Sequence, residues 1–233
     1  EAEIVMSFGG KNADAASLLA LYGVRTLPID LVGAGETDIT ASGSWAKGLA
    51  ATVKFSGDRA TAGFEGTLSS AEQGIAAKGK AAVNASDIEP WLMTAGFGLP
   101  GMGTGTGVDL TADADYAGGL LVLSGLEGTV ADGAVAGDVN LELKEGVPHL
   151  SGQMALDEID LYPLARLILG DDTLESADSG WATTPFQQKS RAPFTADLDL
   201  NAGSLAAGPI AAASDAQASL RLDTDGLRVS DLA

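Results

Sequence analysis

Residues 51–58 read Ala-Thr-Val-Lys-Phe-Ser-Gly-Asp, with Ala51, Val53 and Phe55 alternating with Thr52, Lys54 and Ser56. A strand points successive side chains to opposite faces, so this stretch gathers its apolar groups on one side and its polar groups on the other. The pattern recurs in Val139, Leu141 and Leu143 between Asn140, Glu142 and Lys144, in Leu198 and Leu200 between Asp197, Asp199 and Asn201, and in Leu220 and Leu222 around Arg221. Turn signals separate these runs: Ser56-Gly57-Asp58, Asp132-Gly133, Glu145-Gly146 and Asp225-Gly226, where glycine is expected to supply the positive φ of a tight hairpin. The expected architecture is mainly antiparallel β.

Three segments break the alternation and read as short helices led by an aspartate, whose carboxylate can accept bonds from unpaired first-turn amides. They run from Asp14 to Gly23, from Asp87 to Gly96 and from Asp160 towards Gly170, each starting 73 residues after the one before. Pro90 and Pro163 stand in the first turn, Leu18, Trp91 and Leu164 fall in register as apolar anchors, and Gly79 and Gly152 keep the same interval. This is an internal repeat of several strands closed by one helix, too thin to complete a core alone and expected to run on into an elongated sheet. Residues 1–100 are expected to hold repeat units with helices near 14–23 and 87–96, and residues 101–170 a second unit ending in a helix at 160–169. Gly101–Gly107 is read as a flexible hinge or loop, residues 171–193 as a connecting segment, and residues 194–233 as truncated C-terminal strands. Glu1 in place of an initiator methionine, and a strand-like run stopping at Ala233, read as a piece of a longer protein.

Composition narrows the function. The formal charge is −19 over 233 residues, from 32 acidic and 13 basic side chains, which argues against binding to nucleic acid or through a basic patch to anionic lipid headgroups. Aromatic residues make up only 5%, whereas 31 glycines and many alanines, leucines and valines favour an interior of small and aliphatic groups. With no cysteine, thiolate chemistry, zinc-thiolate sites and disulfides are excluded, and no run approaches the ~20 apolar residues that span a bilayer.

Catalytic signals are lacking, and the chain is expected not to be an enzyme and to need no cofactor or metal. His149 is the single histidine and reads as a turn residue with a hydrogen bond or solvent around it. Ser44-Trp45-Ala46-Lys47 matches a Ser-x-x-Lys string without the companion motifs of that chemistry, and the glycines of 101–107 lack the strand-to-helix setting of a dinucleotide site. Asp223-Thr224-Asp225-Gly226 has its glycine too early for a calcium loop and reads as a hairpin turn.

Trp181, then Pro185-Phe186, then Phe194-Thr195-Ala196-Asp197-Leu198-Asp199-Leu200-Asn201-Ala202-Gly203-Ser204-Leu205 follow one another in the last part of the chain. Ser214–Leu222 and Asp225-Gly226-Leu227 complete the order. In this order they resemble the C-terminal region of the AsmA family of Gram-negative envelope proteins, and the upstream repeats are similar in style. The resemblance implies a curved, groove-like β-sheet with short capping helices, in the periplasm and anchored to the inner membrane by a segment outside this sequence. It also implies a part in phospholipid transport towards the outer membrane and in outer-membrane integrity, with phospholipid acyl chains and envelope proteins of the inner and outer membranes as partners. The family has no catalytic residues to carry over. Strand alternation alone nominates Val53, Phe55, Val139, Leu141, Leu143, Leu198 and Leu200 as lipid contacts. The alternative is a scaffold that conducts no lipid, in which the same strands close on one another around a dry core and the polar face makes protein contacts.

Overall fold

A computed structural model describes residues 3–27, 29–72, 74–99, 101–160, 194–206, 212–223 and 226–231. The alternating stretches form strands β1 (Ile4–Asn12), β2 (Gly35–Ser44), β3 (Gly48–Gly57), β4 (Ala60–Ala71), β5 (Gly74–Ala85) and β6 (Val108–Ala117). They continue as β7 (Leu120–Val130), β8 (Gly133–Lys144), β9 (Val147–Asp160), β10 (Thr195–Ala206), β11 (Ala212–Asp223) and β12 (Gly226–Ser230). All of them lie in one curved, unclosed sheet whose spatial order is the chain order, with β1 and β12 at its edges. Every pairing is antiparallel except that of β9 with β10. The mainly β, elongated sheet expected from the sequence is therefore what forms, with one parallel seam that alternation cannot disclose.

Because successive strands run up and down, their ends make two rims. The upper rim holds Asn12, Gly35 and Gly57, and the lower rim holds Ser44 and Gly48. Helices α1 (Ala15–Leu21) and α2 (Glu89–Thr94) follow β1 and β5 at the upper rim, with four strands from β2 to β5 between them. That is the physical content of the 73-residue interval. The third expected helix, at 160–169, and the connection at 171–193 lie outside the described residues, apart from Asp160, which ends β9.

Curvature has a local cause at the repeated glycines. A Cβ on Gly79 would lie 2.2 Å from the Glu65 carbonyl oxygen and 2.5 Å from the Gly66 Cα, and one on Gly152 would lie 2.1 Å from the Asp138 carbonyl oxygen. Neighbouring backbones approach here more closely than any side chain permits, which bends the strands. Register shifts at Thr111/Asp113 and Leu123/Leu126 add to the bending. The sheet curls towards its apolar side: Ala51, on that side, is 3% exposed, whereas its neighbour Ala50, on the other, is open to solvent.

Two local expectations need correcting. Asp14 does cap α1, its carboxylate accepting from the amides of Ala16 at 3.0 Å and Ser17 at 3.2 Å. Asp87 stands one residue before the cap of α2, which is Ile88 with no side-chain capping bond, but its carboxylate does accept from a first-turn amide, that of Glu89 at 3.1 Å, and also from the Thr106 amide at 3.3 Å. Nor is glycine always the residue with positive φ. In the β3–β4 turn it is Arg59 (φ 54°), and in the β7–β8 turn Ala131 (49°) and Asp132 (67°), while Gly133 already belongs to the strand. Two-residue hairpins impose this backbone whatever the side chain, since it matches the strand twist.

Candidate functional site

The strand register assembles one feature that no single strand could show. From one edge to the other, Met6, Ala41, Ala51, Gly66, Gly79, Ala114, Leu123, Val139, Gly152, Leu198, Leu220 and Val229 stand opposite one another on consecutive strands. No member carries a polar side chain. At a strand spacing of about 4.8 Å, this row is on the order of 50 Å long. One residue away, on the opposite face, Ser7, Thr40, Thr52, Glu65, Lys80, Asp113 and Ser124 make an entirely polar row. Shallow recesses on that face are crossed by ion pairs, Lys78 with Asp115 at 3.0 Å and Lys80 with Asp113 at 3.1 Å.

Two residues further up, Phe8, Ile39, Val53, Phe64, Ala81 and Ala112 form a parallel apolar row over β1 to β6. Above it lies Thr37, whose hydroxyl is satisfied 2.8 Å from the Tyr22 phenol just past α1. All seven nominated residues share this face. They do not share an environment. Phe55 meets the edge of Trp91, ring centroids 5.2 Å apart, and belongs to the part covered by the helices. Leu200 is packed in a cluster with Ala202 and Ile159, and Val139 is 5% exposed. Val53, Leu141 and Leu198 are half-buried, and Leu143 stands at the lower rim, 63% exposed.

The helices act as partial covers of the apolar face. Asp14 turns the chain into α1 so that Ala15, Ala16 and Leu18 face the sheet, where Ala15 and Ala16 cluster with Val32. From α2, Trp91 lies over Gly57 and packs with Ala60, Ala85 and Val108. The expected anchors Leu18 and Trp91 thus hold. A Cβ on Gly57 would lie 2.4 Å from the indole, so this glycine is the space into which Trp91 fits.

Glu89, on α2 and 4% exposed, was not singled out by sequence pattern. Its carboxylate accepts from the Gly103 amide and from the Thr106 hydroxyl at 2.7 Å, fastening the glycine-rich loop of 101–107 to the helix. Beyond α2, Phe97 meets Phe194, the residue leading into β10, with centroids 5.8 Å apart. Phe97 belongs to the β5–β6 connection at the upper rim and Phe194 to the lower rim four strands on.

His149 lies within β9 rather than in a turn and is 6% exposed. Its Nδ1 is 2.8 Å from the Thr195 hydroxyl of β10 and its Nε2 3.8 Å from the Asp197 carboxylate, so it fastens the parallel seam. Asp223 pairs with Gly226 across the last hairpin and accepts from its amide at 3.2 Å, as a turn requires. Among the described residues no group of His, Asp or Glu is arranged to hold a metal ion, and no helix is long and apolar enough to cross a membrane. Comparison with protein-family models, with curated proteins and with solved structures finds no match for the chain.

Proposed function

We propose that this chain is a hydrocarbon-holding segment of a β-groove, an AsmA-like envelope protein of the periplasm that carries phospholipid towards the outer membrane. The observation that carries the reading is the twelve-strand apolar row on the inside of a curled, single-layered sheet. The described strands form one unclosed sheet, with no second sheet of described residues packed on that face, and this supports the reading. Acyl chains laid along the row would gain ~0.8 kcal/mol per buried methylene. Glycine and alanine at half of the row's positions leave the depth for them, while headgroups project through the open mouth and avoid an acidic protein surface.

Non-denaturing mass spectrometry of the purified chain is expected to show phospholipid bound in stoichiometric amount and released by solvent extraction. A lipid-free chain that also fails to shield a fluorescent fatty-acid probe from water would favour the scaffold and reject the groove. Leu141→Glu separates the readings within one molecule. In a groove the glutamate is solvated when lipid is absent, so the chain stays folded and loses probe uptake; in a sealed core the same charge unfolds it.

A further inference from the structure

Both rims of the sheet carry exposed apolar side chains, but at the upper rim Leu21, Tyr22, Val24, Leu27 and Leu31 sit together on and just after α1, whereas the lower rim spreads its own over successive hairpins, a feature the proposed function does not use. Each of the first four hairpins at the lower rim carries a large exposed apolar side chain: Trp45 between β2 and β3, Ile75 after the β4–β5 turn, Tyr116 and Leu120 about the β6–β7 turn, and Leu143 before the β8–β9 turn. Trp45 is 44% exposed and Ile75 51%. Hairpins on one rim recur every second strand, so these groups stand about 10 Å apart in a line. Isolated apolar residues on a surface are ordinary; a file of them along one lip of an apolar groove is not.

The charge along this lip is also unlike that of the chain. At the turns of these four hairpins Lys47 and Lys144 balance Glu72 and Glu145, within a molecule of formal charge −19. The connections of the upper rim carry Asp14, Asp30, Asp58, Asp87 and Asp132 against Arg25 and Arg59.

We infer that the lower rim docks on the surface of a zwitterionic lipid bilayer, with the hairpin tips immersed at headgroup depth. Trp and Tyr favour that depth because each has an apolar ring and one polar group that stays wet. A neutral edge approaches phosphocholine without the repulsion that the rest of this acidic protein would meet, and no basic cluster is present among the described residues to select anionic lipid. Docked there, the groove mouth opens beside the membrane, and an acyl chain leaving the bilayer passes over apolar side chains rather than through water. The inference rests on the groove reading for its purpose, and on the rim alone for its chemistry.

The test compares the parent chain with a variant carrying Trp45→Ser, Ile75→Ser, Tyr116→Ser and Leu120→Ser, all at exposed positions outside the nominated lipid contacts, after thermal melting has shown both to be folded. The parent is expected to float with phosphatidylcholine vesicles, the variant to float about tenfold less, a loss on the scale of 1.4 kcal/mol, and vesicles doped with anionic lipid to hold the parent less well. Uptake of a water-soluble fatty-acid probe should be equal in the two chains, since the groove is untouched. A parent that does not float, or a variant that floats equally, overturns the docking rim. So does a parent dimer that the four substitutions abolish, which assigns the row to a second copy of the chain. Failure of the parent to take up the probe overturns the groove instead, whatever the flotation shows. Should the variant prove unfolded, Trp45→Ser alone, in a turn outside the strands, replaces it and must still weaken flotation.

Discussion

Trp91 and Leu143 both belong to the apolar side of the same sheet, yet one lies against Phe55 and Gly57 at the upper rim and the other stands in solvent at the lower. Strand composition does not separate their surroundings; the connection leaving each strand does. Where β1 and β5 end, the chain folds a helix back over the face and makes a small core with Ala15 at 0% and Val32 at 2% exposure. Where β4, β6 and β8 end, a short turn returns the chain at once and leaves Ile75, Tyr116 and Leu143 exposed, whereas beside the β2–β3 turn Leu49 is still buried with Ala41 and Ala51. One sheet thus has a margin where helices build a core over the face and a margin where most turns leave apolar groups in solvent.

Substitutions can break this contrast, beginning with the one expected to cost most. Trp91→Ala removes the indole that fills the space over Gly57 and should lower stability by about 3 kcal/mol, read from the midpoint of urea unfolding. A change that costs under about 0.5 kcal/mol would show that α2 does not bear on the sheet. Gly79→Ala forces a methyl group against the Glu65 carbonyl oxygen; about 2 kcal/mol is expected to be lost. A Gly79→Ala variant as stable as the parent would remove close backbone approach as the source of the bend.

Asp14→Ala acts on the upper margin more mildly and with a pH dependence. The Ser17 hydroxyl, helped by the Ala16 and Ser17 amides and opposed by slight desolvation, holds the Asp14 carboxyl below its ordinary range. A depressed folded-state value means that the ionised cap stabilises the fold above the ordinary carboxylate range, and that this contribution fades as the pH falls through the lowered value. The difference in melting temperature between parent and Asp14→Ala should therefore be present at neutral pH and vanish in strong acid; a difference that grew in acid would contradict the cap. Leu143→Ala should change stability least, within about 0.5 kcal/mol, because the side chain has little burial to lose. A larger loss would mean that the lower margin is covered after all, and would sharpen the contrast into a correction.

Much of this was legible in the sequence, and the remainder was hidden for specific reasons. Period-two runs at 51–56, 139–144 and 198–200 identify strands because one-residue alternation is the geometry of the pleat, and all the nominated side chains accordingly share a face. The same alternation is blind to depth: Val139, Leu141 and Leu143 read alike, and only position along the strand makes them buried, half-buried and exposed. Asp14 and Asp87 open equivalent segments and both bond a first-turn amide, but that the Asp87 carboxylate also takes the distant amide of Thr106 is set by the loop's fold and not by the local pattern. Glu89 carried no signal, being one acidic residue among 32 until the loop of 101–107 closed over it. The parallel pairing of β9 with β10, likewise, depends on where a long connection returns, which residue pattern does not encode.

Strict chain-order pairing has a consequence for assembly. Each strand finds its partner among its immediate neighbours in sequence, apart from the seam, so hydrogen bonding can start at any hairpin and zip outwards without waiting for the two termini to meet. Melting should run the reverse course, with amide exchange fastest in β1 and β12 and slowest midway. Duplicating a four-strand unit lengthens such a ribbon without rethreading anything.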